Sequence, residues 1–119
     1  MMITQKFAEQ FAEEWADAMN KQDFEKISVH YDENVEVTSP MILLASDEQS
    51  ETMRGINKII KYWKDTFKRI PDLRFGMYEF FTSVNSVAIY YRAFANKRAC
   101  EIFYFNDQGK IVKSVTHFN

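Results

Sequence analysis

The spacing of apolar residues changes period along this chain, from helical steps in the first half to alternation in the second. Phe7, Phe11, Trp15 and Met19 recur at helical spacing with Ala8, Ala12 and Ala16 beside them, while Glu9, Glu13, Glu14 and Asp17 face water. This predicts an amphipathic helix with Thr4 as its N-cap. "NKQD" breaks the pattern, and Asp23 is placed to cap a short second helix through "FEKISVHY". In "ENVEVTSP", Val35 and Val37 alternate as in a strand that ends at Pro40. The next segment, "MILLASDEQSET", has an apolar start that reads as a flap or interface segment and a polar end that reads as a loop. Ile56, Ile59, Ile60, Trp63, Phe67 and Ile70 then restore the helical step, and Pro71 stops it.

From Leu73 onward every apolar run reads as strand: "LRFGMYEFFT", "SVAIYYRAF", "ACEIFYF" and "KIVKSVTHF". The last two are joined by "NDQG", where Gly109 is placed to take a positive φ in a hairpin turn. Helices followed by an antiparallel meander predict an α+β fold, with helices covering one face of a curved sheet. The 119 residues carry no internal repeat, low-complexity tract or linker, so residues 1–119 are expected to form one domain.

One strand carries an anomaly. In "RACEIFYFNDQGKIV", alternation puts Glu101, Phe103 and Phe105 on one face and Cys100, Ile102 and Tyr104 on the other. A carboxylate beside two phenylalanines must pair, take up a proton or meet a ligand, because burying an uncompensated charge is costly. If "ANK" closes a tight hairpin, one register sets Arg92 opposite Glu101, with Tyr90 two residues away, and keeps the acid ionised. A register one residue different brings Tyr91 or Ala93 there and leaves it nearer neutral.

Composition narrows the classes. Eleven Phe, six Tyr and two Trp against three Gly and two Pro suggest long regular elements around a lined cavity. A formal charge of -2 gives no reason to expect a nucleic-acid partner, and Lys97 with Arg98 reads as a solvated turn. The single Cys100 excludes an intramolecular disulfide and reads as a small buried apolar residue. With only His30 and His117 besides, no metal and no cofactor is expected. His30 reads as a helix-end residue near the negative end of the dipole. The N-terminus lacks the apolar core of a signal peptide and no apolar run is long enough to span a bilayer, so a cytoplasmic setting is expected.

"WADAMNKQDFEKI", "YDENVEVTSP", "RGINKIIKYW" and "FYFNDQGKI" occur in an order that resembles the nuclear transport factor two-like superfamily. That group includes the SnoaL-like polyketide cyclases, the ketosteroid isomerases and the limonene-epoxide hydrolases. The resemblance covers nearly the whole chain. It implies a cone-shaped sheet around a deep apolar pocket closed by three helices from the N-terminal half, and a homodimer formed by the outer sheet face, where Ile102 and Tyr104 stand. Glu101 matches the isomerase position whose acid stays protonated and donates to the substrate oxyanion. Trp15 stands where those enzymes have a tyrosine, and Ser39 stands where they have the base aspartate. Neither replacement can perform the original proton transfer: an indole N–H does not ionise at working pH, and an unassisted serine is a poor base. Thr116 stands where epoxide hydrolases have an acid. The match points Ser114, Thr116 and Phe118 inward and His117 outward, and places Tyr62 and Trp63 on the pocket wall.

The expected candidate site is therefore Glu101 as the tentative catalytic group, with Trp15, Ser39, Tyr62, Trp63, Tyr91, Arg92, Phe103, Ser114, Thr116 and Phe118 lining the pocket. Each has a plainer role beside it. Glu101 could be half of an ion pair with Arg92 or a lysine, Trp15 could be core, and Ser39 could hydrogen-bond local backbone. The reading is a domain that binds a small apolar carbonyl compound, with acid/base conversion in prospect. The alternative is a non-catalytic ligand-binding or dimerisation module on the same fold.

Overall fold

Thr4 starts the first helix as its side chain allows: Oγ1 accepts from the Phe7 N–H at 3.0 Å, and α1 runs Gln5–Asn20. The computed structural model describes residues 2–46 and 49–119. Residues 47 and 48, in the polar half of the segment read as a loop, lie outside the described residues. Along α1 the buried stripe is Ala8, Phe11, Ala12, Trp15, Ala18 and Met19. Asp23 caps α2, Phe24–Ser28, by accepting from Lys26 N at 3.1 Å.

α2 ends earlier than the sequence suggests. The expected helix through Tyr31 stops at Ser28, and Tyr31 opens the strand β1, Tyr31–Thr38. The cause is long-range: Ile111 N donates to His30 O at 2.7 Å, and Tyr31 pairs with Ile111, so sheet pairing outcompetes another helical turn. Pro40, read as the end of a strand, also begins a helix. Ser39 Oγ accepts from Met41 N at 3.2 Å and Pro40 takes the first turn of α3, Pro40–Ala45. Among the described residues the α-helices thus number four rather than three.

A three-residue edge strand, β2 (Thr52–Arg54), pairs with β1. Gly55 then takes φ 95°, which turns the chain from β2 into α4, Ile56–Arg69, while its N–H donates to Val35 O at 2.9 Å. Four strands complete the chain: β3 (Gly76–Thr82), β4 (Ser86–Arg92), β5 (Arg98–Phe105) and β6 (Ile111–Phe118). β3 begins three residues later than read, because Leu73 N and Phe75 are held by Ile70 O and Asn20 rather than by a neighbouring strand.

The sheet order is β2-β1-β6-β5-β4-β3, with β1 parallel to β6 and every other pair antiparallel. This is the α+β fold expected: a curved, unclosed sheet with α1 and α4 packed on its inner face. Phe11 fixes α1 to β5 by edge-on contacts with Phe103 (5.0 Å) and Phe105 (5.2 Å). Each such buried large apolar side chain stabilises the fold by about 1.5–3 kcal/mol. Gly109 takes φ 74° in the β5–β6 turn, as read. The β4–β5 connection is longer than a tight hairpin: Ala93 N donates to Lys97 O at 2.7 Å around a 3₁₀ turn at Phe94–Asn96. Among the described residues no helix is long and apolar enough to cross a membrane.

Candidate functional site

Glu101 lies on the inner face of β5 and is 8% exposed. Ladder register decides what surrounds it. Ile89 of β4 stands opposite on one side and Thr116 of β6 on the other, which puts Tyr91 and Ser114 diagonally adjacent on the same face. The Tyr91 hydroxyl donates to Glu101 Oε1 at 3.1 Å.

Arg92 does not belong to this group. It is exposed, pairs across the ladder with Arg98, and lays its guanidinium beside Gly76. Neither sequence-derived register holds, since both assumed a tight turn at "ANK". The groups that bear on the carboxyl are hydroxyls, and the ion pair with Arg92 is absent.

Above Glu101 is a cavity of about 90 Å³. Its floor is Glu101, Ser114 and Thr116; its walls are Trp15 and Met19 of α1, Tyr62, Trp63, Thr66 and Phe67 of α4, and Tyr91 and Phe75. Ser39 and Met41 line it where β1 meets α3, and Phe94 and Phe118 line it on the opposite side, their rings 5.9 Å apart. Of the residues singled out in the sequence, the structure brings Glu101, Trp15, Ser39, Tyr62, Trp63, Tyr91, Ser114, Thr116 and Phe118 together around this cavity. Phe103 faces inward but lies outside the lining, fully buried against Trp15 (5.5 Å) and Phe11.

Trp15 is the hinge of an aromatic cluster. It stacks on Phe75 (5.6 Å, 23°) and meets Tyr91 edge-on at 5.2 Å. Phe75 is in turn gripped by Asn20, which donates from Nδ2 to Phe75 O at 2.9 Å and accepts from Phe75 N at 2.7 Å. Sequence reasoning missed Phe75, read as strand, and Asn20, whose place inside "WADAMNKQD" was the only available signal. Tyr31, read as helical, lies behind Trp63 at 5.4 Å.

Three buried polar atoms here make no hydrogen bond: Trp15 Nε1, Tyr31 OH and Ser114 Oγ. Trp15 Nε1 is near enough to Tyr31 to hold its pKa down, and Ser114 Oγ is near enough to Glu101 to do the same, yet both lie outside hydrogen-bond geometry. Buried polar atoms are seldom left unpaired, so such a cluster marks a place for a polar group of a ligand or for water.

Burial pushes the Glu101 carboxyl up from 4.5 to about 7, against the hydroxyls of Tyr91, Thr116 and Ser114, which pull it down. Burial and then the nearby Glu101 charge push Tyr62 up to about 12 and Tyr31 and Tyr91 well above the ordinary phenol value. Among the described residues of the lining, Glu101 is thus the one group poised to exchange a proton near neutrality and the only carboxylate.

The remaining candidates fall elsewhere. Ser39 spends its hydroxyl on the α3 cap. His117 is exposed on the outer face of β6. His30 sits in the turn after α2 with Nε2 3.4 Å from Glu14 Oε1. Cys100 is half-buried on the outer face rather than buried as read, since alternation along β5 turns it away from the face that carries Glu101. Among the described residues no cluster of three His, Cys, Asp or Glu side chains could hold a metal ion.

The chain belongs to the SnoaL-like domain family, whose pattern matches residues 12–114. A SnoaL-like protein of unknown function from Burkholderia thailandensis is 39% identical over 100% of this chain and 99% of that one, with a TM-score of 0.94. IdmH from Streptomyces antibioticus, described as a candidate polyketide cyclase, is 17% identical over 94% and 91% of the two chains, with a TM-score of 0.78. A candidate ketosteroid isomerase from Kribbella flavida is 15% identical over 94% and 77%, with a TM-score of 0.70. The last two share the fold. No curated protein matches the chain.

Proposed function

We propose that residues 1–119 form one domain that binds a small, mostly apolar molecule bearing a carbonyl or enol oxygen, and that Glu101 exchanges a proton with that molecule. The observation that carries this is Glu101 itself: a buried carboxyl on the floor of an aromatic cavity, supported by a phenol hydroxyl and, among the described residues, by no cation. A group whose pKa lies near working pH is the best general acid or base. Neutral Glu101 donates a hydrogen bond to a ligand oxygen; ionised Glu101 accepts a proton from the carbon α to the ligand's carbonyl. Trp15 and Trp63 form the walls, and Tyr91 steadies the carboxyl. The candidate isomerase and cyclase among the structural neighbours are in keeping with such chemistry.

A non-catalytic binding module is the second reading. Ser39 favours it, because the hydroxyl at the usual base position is committed to capping α3. Both readings include a cytoplasmic protein that forms a homodimer through the outer sheet face, where Ala88, Tyr90, Ile102, Tyr104 and Val115 are half-buried.

The test is a thermal-shift screen of wild type and Glu101→Gln against neutral carbonyl and phenol compounds. A ligand that stabilises only the wild type supports the Glu101 reading. A screen in which every stabilising ligand acts equally on both proteins overturns it.

A further inference from the structure

We infer that this pocket takes a neutral molecule no larger than one substituted ring or a comparable short chain, seated with its single oxygen against Trp15, Ser114 and Glu101. The inference rests on the Glu101 reading above and adds a size and a charge to it.

Size follows from the volume. A cavity of about 150 Å³ is enough to take up benzene, and this one encloses about 90 Å³. Half-buried Met41, Tyr62, Phe94 and Phe118 line it where it meets solvent. A single ring can place its oxygen end inside and leave its far edge between those side chains. A second fused ring would have to displace them or the Trp15–Phe75 stack. That stack is held by two hydrogen bonds between Asn20 and the Phe75 backbone, one donated by each residue, so the wall on that side resists widening.

Charge follows from the lining. It contains one carboxyl and, among the described residues, no Lys, Arg or His. A carboxylate or phosphate would enter an aromatic cavity with nothing to offset its desolvation and with Glu101 to repel it. A neutral oxygen fares differently. Trp15 is 2% exposed and Ser114 fully buried, and their unpaired Nε1–H and Oγ–H both belong to side chains that line the cavity. One ligand oxygen can accept from such donors while Glu101 supplies or receives a proton, which would satisfy atoms now without partners.

The experiment is an NMR titration of the whole chain with phenol, cyclohex-2-en-1-one, 2-naphthol, a tetracyclic phenolic steroid and benzoate, following the amides of Glu101 and Ser114. Phenol or the enone is expected to saturate these shifts, with 2-naphthol and the steroid at least about tenfold weaker and benzoate without effect at pH 8. Ser114→Ala and Trp15→Phe should each weaken phenol or enone binding about 2–10-fold, the worth of one hydrogen bond. Ser114→Ala guards against a fold-damaging tryptophan change.

Tighter binding of 2-naphthol or the steroid, lost in Glu101→Gln, would overturn the size limit and leave the Glu101 reading standing. Benzoate binding as well as phenol would overturn the requirement for neutrality. The expected size order with no dependence on Glu101→Gln would support the size limit and overturn the Glu101 reading. No shift at these amides with any compound would overturn both.

Discussion

Tyr91 and Glu101 sit on adjacent strands, and the Tyr91 hydroxyl donates to Glu101 Oε1 across 3.1 Å even though the ladder pairs Tyr91 with Ala99 and Glu101 with Ile89. The diagonal reach of a tyrosine closes that offset. The consequence is electrostatic. A phenol donor steadies the carboxylate without supplying a positive charge, so burial outweighs it and Glu101 titrates near 7 instead of 4.5.

Stability should therefore depend on pH through this one group. The folded-state pKa is raised, so between about 4.5 and 7 the folded protein holds a proton that the unfolded chain has lost. The stabilisation is complete below the unfolded value and disappears as pH rises through the folded one. Relative to Glu101→Gln, wild type should lose about 3 kcal/mol between pH 4.5 and pH 8. Denaturant melts of both proteins across that range check it, and the pH-dependent difference should vanish if Glu101 is ionised throughout.

Tyr91→Phe removes the donor that favours the ionised form. The Glu101 pKa should rise further, and the stability loss should be larger at pH 8, about 1.5–3 kcal/mol, than at pH 5. Paired melts at the two pH values measure the asymmetry. An equal loss at both would mean that the hydroxyl does not interact with the charge.

Arg92→Ala tests the partner that the sequence offered and the structure withdrew. With Arg92 exposed and off the cavity, stability should change by no more than about 0.5 kcal/mol, and the Glu101 titration should not move. A shift in that titration would restore the ion pair.

Asn20→Ala acts on the cavity wall at a distance. Loss of two hydrogen bonds to the Phe75 backbone should cost about 1–3 kcal/mol and loosen the ring stacked on Trp15. Chemical unfolding gives the cost, and the near-ultraviolet circular dichroism of Trp15 should weaken under native conditions.

Much of this was legible in the sequence because it depends on periodicity. The α1 stripe, the α4 stripe and the alternation around Glu101 are local patterns, and each matches the side that is buried. What escaped depends on partners distant in sequence. Tyr31 became strand because β6 reached it, and Phe75 left the sheet because Asn20, 55 residues earlier, holds it. The fate of Arg92 turned on whether a five-residue connection closes as a tight hairpin, and a 3₁₀ turn there moves the β4 neighbours of Glu101. Pro40 was ambiguous in kind, since proline both ends strands and begins helices. The inward placement of Glu101 could be read from the sequence, whereas its electrostatic state depended on register.

The most direct measurement is the carbon-13 NMR titration of the Glu101 side-chain carboxyl in the wild-type chain, assigned by its absence in Glu101→Gln. A midpoint near 7 is expected, with the phenol hydroxyl of Tyr91 still protonated above it. A midpoint near the ordinary 4.5 would mean that Glu101 is solvated or ion-paired, and it would remove the basis for proton exchange in this cavity.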